Sequence, residues 1–563
     1  MPSKRWIVAP PLTETARAAL ADYPPVVAQL LFNRGLADAE AARLFFAGEM
    51  AQSDDPLLLT GLPEAVERLQ RAVRAGERIA VYGDYDTDGV TATALLVQVL
   101  TALDAIVEAY IPDREDEGYG LNDNALRKLK DGGARVVITV DCGIRSLNEA
   151  DTARALGLDL IITDHHHPLP ELPRAFAIVN PKQPGDTYPE QGLAGVGLAY
   201  KIAQGLIRPM DPKPPINGSD VLDLVALGTV ADLAPLTGEN RVLVRNGLKV
   251  LNKPRREGMK SLMSIARLQP GGVDATAIGF ALGPRLNAAG RLESALAALE
   301  LLTTSDVFQA TRLAQQLEQQ NRDRQDLTRI THAHARELAL EADPDAPLLF
   351  AAHPDFKPGV VGLAAARLTD EFYRPSVVAM RGPKTTQGSA RSIPEFHITE
   401  AFDQCVKLLE KHGGHAAAAG FTALTTNVDE LARQLRQVAA QRLAGMELRP
   451  ALHVDAEVPL SDLTAELEQQ LRQFQPCGYG NPTPLLASRG VKVVGSRTVG
   501  ADARHLKLTL GDGRVTMDAI AFNQGHWQGK LPARVNVAYM LEINEWGGEK
   551  RLQLNVKDIQ STD

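Results

Sequence analysis

The sequence has few cysteines and no long apolar run. Its three cysteines, Cys142, Cys405 and Cys477, lie far apart and form no CxxC pair. We therefore expect no disulfide framework and predict a reducing, cytoplasmic location. No window approaches the roughly 18 uninterrupted apolar residues that a membrane span requires. The first residues run into prolines, so we expect no secretory leader and no membrane partner.

An excess of positive charge is also missing. The chain has 60 basic and 69 acidic residues, and its formal net charge is −9. This balance excludes a protein coated in positive charge for nonspecific nucleic-acid binding. It is compatible with a local basic groove, because a partner responds to local potential. Acidic residues gathered at a metal site would also be neutralised by the bound ions.

The first two thirds of the chain predict an α/β fold. A length of 563 residues predicts three or four domains. A small helical segment is expected over 1–62, and a catalytic domain over 63–305. In that domain, strand-like runs at 78–82, 106–111, 135–140, 158–163 and 175–179 alternate with helical patterns such as 90–100 and 148–156. This alternation predicts a mostly parallel sheet with helices on both faces. The apolar run 222–230 is compatible with a helix or a strand.

Three further segments are expected after the catalytic domain. Residues 311–341 lack Gly and Pro and predict a helix about 45 Å long. It is either a connector between lobes, over 306–345, or an ordinary surface helix of the first lobe. A second α/β lobe is predicted over 346–448, with strands at 348–352 and 376–380 around a helix at 359–369. Short alternating strands after a helix at 461–473 predict an OB-fold barrel over 449–563.

The most informative motif is an acidic turn after the first predicted strand. It contains Asp84, Asp86, Asp88 and Gly89. The spacing matches the start of a calcium-binding EF-hand loop, but that loop needs Glu at its twelfth position, where this chain has Leu95, and it needs a helix before it. An alternative is that Asp88 only caps the following helix. Three closely spaced carboxylates repel one another without a cation, which favours a metal site.

Further acidic and imidazole residues follow other predicted strands. Asp141 comes after 135–140, the triplet Asp164-His165-His166 comes after 158–163, and Asp232 is a further candidate. Ligand sites in parallel sheets lie beyond the carboxyl ends of the strands, so these side chains should share one crevice. Mixed oxygen and imidazole ligands suit Mn²⁺ and, with more water retained, Mg²⁺. Two ions become feasible, and the site predicts phosphate-ester hydrolysis. We expect His167 to be a surface residue.

These motifs resemble the DHH phosphoesterase superfamily and, within it, the RecJ family, over nearly the whole chain. The triplet Asp164-His165-His166 is the one for which the superfamily is named. The segments that carry the resemblance are 83–89, 117–121, 139–144, 163–166, 193–197, 227–232 and 279–291. Cys142 departs from the pattern, since Asn is expected there in many relatives. The second lobe resembles the DHHA1 domain through 353–354, 359–362, 388–392 and 413–420.

The resemblance implies roles for fourteen residues. The ligands of two Mn²⁺ or Mg²⁺ ions would be Asp84, Asp86, Asp88, Asp141, His165 and Asp232. Asp141 and Asp232 would bridge the ions, and Asp84 would be either a direct ligand or a partner of one. The catalytic residues would be Asp84, Asp141 and His166, with His166 facing the scissile phosphate. The DNA and its 5′ phosphate would be bound by Arg114, Arg285, Asn287, Arg291, Ser389, Arg391 and His415.

Two of these roles have a structural alternative. For Arg285 the alternative is a salt bridge between a helix and the sheet. The glycines around His415 could serve only to shape turns.

The resemblance further implies a single-stranded-DNA-specific 5′→3′ exonuclease that releases 5′ mononucleotides in recombination, mismatch repair and other DNA repair. The barrel would bind single-stranded DNA, and a single-strand-binding protein and a helicase would be partners. One alternative is a DHH–DHHA1 phosphodiesterase that acts on short oligonucleotides or cyclic dinucleotides, although such enzymes lack the connector and the barrel. A catalytically idle DNA-binding adaptor is another.

Overall fold

A computed structural model describes residues 4–50, 54–113, 117–118, 120–208, 210, 212–292, 294–546 and 549–562, with only the backbone at 292 and 546. The chain divides into two compact units. The larger unit comprises residues 8–320 and 454–563, and the smaller unit comprises 1–7 and 321–453. Among the described residues, no helix is both long enough and apolar enough to cross a membrane.

The predicted parallel sheet is confirmed in the larger unit. Its strands are β2 (Arg78–Tyr82), β3 (Ile106–Tyr110), β4 (Ala134–Val140), β5 (Asp159–Thr163) and β6 (Ala177–Val179), which follow β1 (Arg5–Val8) in the chain. All five are parallel, in the order β3-β2-β4-β5-β6. The carboxyl ends of β2, β4 and β5 are therefore neighbours at one edge, where the acidic motifs follow them.

Helices cover both faces of this sheet. Three N-terminal helices, α1 (Glu14–Ala19), α2 (Pro25–Asn33) and α3 (Ala39–Ala47), belong to a different core. The helices that cover the sheet are α4 (Leu62–Ala75), α5 (Thr87–Ala102), α6 (Asp123–Asp131) and α7 (Leu147–Ala155). Successive strand residues point to opposite faces. Ile79 and Val81 pack in one core with α4 and α5, whereas Ala80 and Tyr82 pack in another with α6 and α7.

The rest of this lobe is helical. Its helices are α8 (Gly195–Ile207), α9 (Leu222–Ala231), α10 (Gly238–Leu251), α11 (Glu257–Ile265), α12 (Ala275–Ala277), α13 (Gly283–Leu292) and α14 (Leu296–Thr303). The apolar run 222–230 is thus a helix, and its residues are buried on every side. A π-helical segment, Ile278–Leu282, joins α12 to α13.

The long helix predicted after the first lobe is confirmed as α15 (Val307–Ala342), 36 residues long. Its residues up to 320 belong to the larger unit, and those from 321 belong to the smaller unit. A helix that is shared in this way is the connector rather than a surface helix of the first lobe.

The smaller unit is a second α/β lobe, as predicted. Its elements are β7 (Leu349–His353), α16 (Pro358–Phe372), β8 (Ser376–Arg381), β9 (Thr385–Arg391), α17 (Ile398–Gln404), β10 (Lys411–Gly414), β11 (Ala418–Leu424) and α18 (Val428–Arg442). The sheet order is β10-β11-β9-β8-β7, and only β7 and β8 are parallel. The strand β12 (Ala451–Val454), which pairs with β1, follows it.

The C-terminal part is a closed barrel, which confirms the predicted OB fold. Its elements are β13 (Ala456–Glu457), α19 (Ala465–Arg472), β14 (Leu486–Val499), β15 (His505–Gly511), β16 (Thr516–Ala521), β17 (Arg534–Trp546) and β18 (Glu549–Ser561). The order β14-β15-β16-β18-β17 closes by pairing of β17 with β14. The N-terminal helices share its core, since Leu30 and Leu31 pack with Phe474 and Tyr539.

Candidate metal centre

The acidic turn lies between β2 and α5, as the sequence predicts. Asp86 is the N-cap of α5, and its Oδ1 accepts hydrogen bonds from the amides of Asp88 at 2.9 Å and Gly89 at 3.1 Å. The cap is therefore Asp86 and not Asp88, the residue that the alternative interpretation considered. Gly89 has no room for a side chain, because a Cβ there would lie 2.6 Å from the Asp84 amide nitrogen. This close packing holds the turn tightly over the start of the helix.

Asp88 is held by the N-terminus of another helix. Its carboxylate oxygens accept hydrogen bonds from the amides of Gly195 at 2.7 Å and Val196 at 2.8 Å, in the first turn of α8. These amides and the helix dipole favour negative charge. Even so, burial and the charges of Asp232 and Asp86 raise the pKa of Asp88 well above its ordinary value. The neighbouring carboxylates therefore outweigh the amides, and the ionised form of Asp88 is disfavoured without a cation.

Asp141 follows β4 in a strained conformation. Its φ is +62°, a region that non-glycine residues seldom adopt, and its amide donates to the carbonyl of Thr163 at 3.0 Å. Its carboxylate approaches α8 so closely that a Cβ on Gly195 would lie 2.7 Å from the Asp141 Cβ. Burial, and then the charges of Asp88 and Asp86, raise the pKa of Asp141 well above its ordinary value. Strain and buried charge of this kind accumulate at functional sites.

The residues of the triplet that follows β5 have different roles. Asp164 accepts hydrogen bonds from His166 Nδ1 at 2.7 Å and from the amide of Ile144 at 2.9 Å. Burial opposes charge on Asp164, but these bonds lower its pKa overall. Burial likewise opposes protonation of His166, yet its bond to Asp164 leaves the pKa of His166 raised. His166 is 42 % exposed, so an oriented proton donor faces solvent at the site.

His165 points into the carboxylate cluster. Its Nε2 lies 3.0 Å from Asp141 Oδ1 and 3.8 Å from Asp232 Oδ2. Burial and the neighbouring His166 lower the pKa of His165 to about 3. The ring is therefore neutral at ordinary pH, which is the form that binds a metal ion.

Asp232 ends α9, which brings it to the same crevice. Gly228, one turn earlier, has no room for a side chain, because a Cβ there would lie 2.9 Å from Asp88 Oδ1. Burial and the charge of Asp86 raise the pKa of Asp232 to about 7.

The ligand atoms form three overlapping groups, in each of which they lie within 4.8 Å of one another. The groups are Asp84, Asp86 and Asp141; Asp88, His165 and Asp232; and Asp141, His165 and His166. Five carboxylates, of which Asp88, Asp141 and Asp232 have raised pKa values, lie beside a neutral imidazole, and this donor set suits hard divalent cations. Asp141 belongs to two groups, as a bridging ligand would. Asp232 belongs to one, so its bridging role remains a prediction.

The predicted DNA contacts on α13 have partners within the protein. Arg285 Nε donates to Glu318 Oε2 on α15 at 2.7 Å, so the salt-bridge alternative is observed, although with a helix rather than the sheet. Asn287 Oδ1 accepts from both the amide and the hydroxyl of Thr87 at 2.8 Å. Asn287 therefore fixes the acidic turn. Arg291 lies one turn further along α13. Arg114 lies outside the described residues.

The three candidates in the smaller unit lie at one end of its sheet. Arg391 ends β9 and is paired with Ala418 at the start of β11, and His415 lies in the turn just before Ala418. A Cβ on Gly362 in α16 would lie 3.3 Å from Arg391 Nη2 and 3.4 Å from Ser389 Oγ. Ser389 and Arg391 thus flank the first turns of α16, and His415 is exposed beside them.

Sequence reasoning missed the supporting contacts. The sequence predicts no separate role for Asp164, yet its carboxylate orients His166. Asn180 donates to the carbonyl of His166 at 2.9 Å, and Lys182 donates to that of His165. The only available signal was their position just after β6. His167 is more exposed than its two neighbours, as expected of a surface residue.

Comparison with known proteins gives matches along the chain. Family models match for the DHH family N-terminal domain at residues 78–229, the DHHA1 domain at 345–441 and the RecJ OB domain at 454–558. The chain is 40 % identical to the single-stranded-DNA-specific exonuclease RecJ of Bacillus subtilis, over 95 % of this chain and 68 % of that protein. It is 35 % identical to RecJ of Salmonella typhimurium, over 96 % of both.

Solved structures match over the same length. The crystal structure of RecJ in complex with Mn²⁺ from Thermus thermophilus has 30 % sequence identity and a TM-score of 0.86, and the match covers 99 % of this chain and 80 % of that one. The corresponding Mg²⁺ complex has 29 % identity and a TM-score of 0.80, with 99 % and 79 % covered.

Proposed function

The chain belongs to the RecJ family of single-stranded-DNA-specific exonucleases, and we propose that it degrades single-stranded DNA from the 5′ end, releasing 5′ mononucleotides in recombination and repair. The observation that carries this proposal is the convergence of five carboxylates and His165 at the carboxyl ends of β2, β4 and β5 and the end of α9. Phosphodiester hydrolysis is the chemistry that such a donor set serves.

The donor set fits two Mn²⁺ or Mg²⁺ ions. One ion would be held by Asp84, Asp86 and Asp141, and the other by Asp88, His165 and Asp232, with Asp141 between them. When bound, the ions supply positive charge that activates water and stabilises the charge of the transition state. The raised pKa values of Asp88 and Asp141 support this assignment, because a nearby cation removes the repulsion that raises them.

His166 is proposed to act on the scissile phosphate. Asp164 fixes its Nδ1, so the other ring nitrogen is left to meet the substrate. Despite burial, the hydrogen bond to Asp164 raises the pKa of His166 above its ordinary value, and the ring in its protonated form can donate a hydrogen bond to a phosphate oxygen. The main roles of Asp84 and Asp141 would be to hold the metal ions.

The proposed DNA contacts form two sets, one within each unit. Arg285, Arg291 and Arg114 would bind the 5′ phosphate, for which a guanidinium is well suited. Asn287 would act indirectly, because its carbonyl oxygen is bonded to Thr87. Ser389, Arg391 and His415 would bind backbone phosphates beside α16.

The barrel would bind the single-stranded DNA at a distance from the cleavage site. Phe522 is 51 % exposed there, in a depression lined by three basic residues, Arg497, Lys507 and Arg551, and by three acidic ones, Asp518, Glu542 and Glu549. Stacking and charge are the two means by which OB folds hold single strands. A single-strand-binding protein and a helicase are proposed as partners. The three cysteines are free and buried, which supports the proposed cytoplasmic location.

The direct test is digestion of one oligonucleotide with either a 5′ or a 3′ label, in Mn²⁺. We expect the 5′ label to appear at once as a mononucleotide, and the 3′ label to pass through a ladder of shortening products. A duplex with blunt ends should be resistant. Immediate release of the 3′ label, or cleavage at internal sites, would contradict the proposal.

A phosphodiesterase for dinucleotides is the weaker alternative. The 36-residue α15 and the closed barrel extend the protein well beyond what a dinucleotide can contact. Long single strands give both elements a role. If a dinucleotide is cut faster than a long strand, this alternative is the better description.

A further inference from the structure

A single turn of the C-terminal barrel part contacts the loop that follows Asp232 and the start of α10. This segment, residues 473–481, follows α19 and is called the barrel turn here. We propose that the barrel turn positions Asp88 and Asp232, so that the affinity of the ion held by Asp88, His165 and Asp232 depends on the barrel. The inference rests on the two-ion centre proposed above.

The first route leads from the barrel turn to Asp232. After Asp232 the chain runs through residues 233–237 to the start of α10. The amide of Leu236 donates to the carbonyl of Tyr479 at 2.7 Å. A Cβ on Gly478 would lie 2.8 Å from Leu236 Cδ1, and one on Gly480 would lie 3.1 Å from Pro235 Cβ. The turn is thus packed directly against the loop, which begins next to the carboxylate.

The second route starts at Arg241 in the first turn of α10. This buried side chain donates from Nη2 to the carbonyls of Gln475 at 3.1 Å and Gln473 at 3.2 Å. Its Nη1 donates to the carbonyl of Phe45 at 2.8 Å, and the guanidinium lies 3.7 Å from the centre of the Phe45 ring. Hydrogen bonds from a charged donor are among the stronger ones in a protein. Arg241 therefore joins α10 to the barrel turn.

From α10 the second route continues to Asp88. Asn240 Nδ2 donates to the carbonyl of Gly192 at 2.6 Å. Glu190 accepts from the amides of Gly192 at 3.0 Å and Glu239 at 3.1 Å. Gly192 precedes Gly195 by only three residues, and the amide of Gly195 binds the Asp88 carboxylate. The start of α10 thus fixes the segment that presents the amides to Asp88.

The barrel turn is itself held firmly. Asn481 Nδ2 donates to the carbonyls of Phe474 at 2.9 Å and Pro476 at 2.8 Å. Arg34 Nε in turn donates to Asn481 Oδ1 at 2.9 Å. Both the N-terminal helices and the barrel therefore fix its shape, so that it can act as a support for the loops that it touches.

The other group of ligands is fixed from elsewhere. Asp86 is held by the amides of α5, and the turn that carries it is held by Asn287 of α13. The backbone of Asp141 is bonded to Thr163 at the end of β5. Neither set of hydrogen bonds involves α10 or the barrel turn, and the Asp141 side chain meets the route to Asp88 only by packing against Gly195. A disturbance of the barrel turn should therefore affect one ion much more than the other.

The test is Mn²⁺ binding to the full-length, DNA-free protein, measured by calorimetry and by electron paramagnetic resonance. Wild type should bind two ions and show the spectrum of a coupled pair. Arg241→Met should weaken the binding of one ion by about 10-fold, the lower end of the cost of losing a direct partner of a ligand, because Arg241 acts through intervening residues. The spectrum at low Mn²⁺ should then become that of a single, uncoupled ion.

Arg245→Met is the matched control. Arg245 lies one turn further along α10 and donates to the carbonyl of Phe46 at 2.6 Å, next to the residue that Arg241 contacts. Its described hydrogen bonds do not reach the barrel turn. We expect it to bind both ions as wild type does. If Arg241→Met fails to fold, Gly478→Ala takes its place, because its Cβ would push Leu236 away.

Three outcomes would overturn the inference. Unchanged binding in a folded Arg241→Met or Gly478→Ala protein would show that the barrel turn does not position the ligands. Equally weakened binding of both ions, together with a lowered Tm, would show a general loss of structure. A wild-type protein that binds a single ion would instead contradict the two-ion centre, and this inference would fail with it.

Discussion

At the scale of single residues, the centre is an excess of negative charge that the protein only partly compensates. Asp86 and Asp88 accept hydrogen bonds from backbone amides, and Asp164 accepts one from the ring of His166. Asp141 and Asp232 keep raised pKa values. A divalent cation is the natural counter-charge, because it is the strongest local charge that such a site can hold.

The raised pKa of Asp232 predicts how stability without metal depends on pH. Its folded-state pKa is about 7, compared with an ordinary value of 3.8. The group favours the folded state below its unfolded pKa, and that contribution is lost as pH rises through 7. In EDTA, Tm should therefore fall from about pH 4 to pH 7 and level off above pH 7, and Asp232→Asn should reduce the fall. A Tm of the wild type that rises over this range would contradict the assignment.

The exposed ring of His166 predicts a variant in which chemistry is lost but metal binding is kept. His166→Gln should lower kcat by about 10²-fold or more, the range for losing a proton donor. His166 lies within ligand distance of Asp141 and His165, but its Nδ1 is bonded to Asp164, so we expect Mn²⁺ affinity to change little. Single-turnover kinetics and calorimetry measure both quantities. Loss of an ion together with activity would make His166 a ligand instead.

The sequence predicts the charged residues of the centre but not their supporting partners. Asp84, Asp86 and Asp88 can be found because they crowd into one turn after a strand. Asn287 lies 200 residues from Thr87, and no local pattern indicates that the two are bonded. Side-chain partners of this kind are set by tertiary packing.

At the scale of elements, helix ends and glycines hold the site together. The first turn of α8 supplies two amides to Asp88, and the first turn of α5 is capped by Asp86. Gly195 and Gly228 are the places where a helix backbone passes within contact distance of a carboxylate. Glycine is required there for space rather than for an unusual φ.

This close approach predicts a large effect of Gly195→Ala. Its Cβ would lie 2.7 Å from the Asp141 Cβ and 3.0 Å from Oδ1. The carboxylate must then move, and a small misplacement at a catalytic site costs about 10²-fold in rate. Gly197→Ala is the control on the same turn, since its nearest contact would be Leu193 Cδ2 at 3.4 Å. Exonuclease assays should separate the two variants; equal activity would contradict the prediction.

The long helix and the parallel sheet were predictable, whereas α9 was not. Residues 311–341 contain neither Gly nor Pro, so the helix follows from composition. The run 222–230 is apolar on every side, and because it is buried all round it shows no periodicity that distinguishes a helix from a strand.

At the scale of the whole molecule, the barrel is an integral part of the larger unit. Leu30 and Leu31 of α2 lie in the barrel core with Phe474, so the N-terminal segment and the barrel fold around common residues. The sequence predicts each segment separately, because no pattern links residue 30 with residue 474. Point substitutions therefore test the barrel better than its deletion does.

Phe522 provides such a substitution. It is half exposed in a depression with Arg497 and Lys507. Phe522→Ala should weaken binding to a long single strand by about 10-fold, since a stacked base contributes about 1–3 kcal/mol. The kcat on a short oligonucleotide should not change. Val494→Ala, at another exposed barrel position, is the control; equal effects of both substitutions would argue against stacking at Phe522.

The claim that the rest depends on is that two divalent ions lie among the six proposed ligands. Anomalous diffraction from a Mn²⁺-soaked crystal, recorded at the manganese absorption edge, tests it directly. Two peaks should appear in each chain, one among Asp84, Asp86 and Asp141 and the other among Asp88, His165 and Asp232. A single peak, or peaks away from these residues, would contradict it.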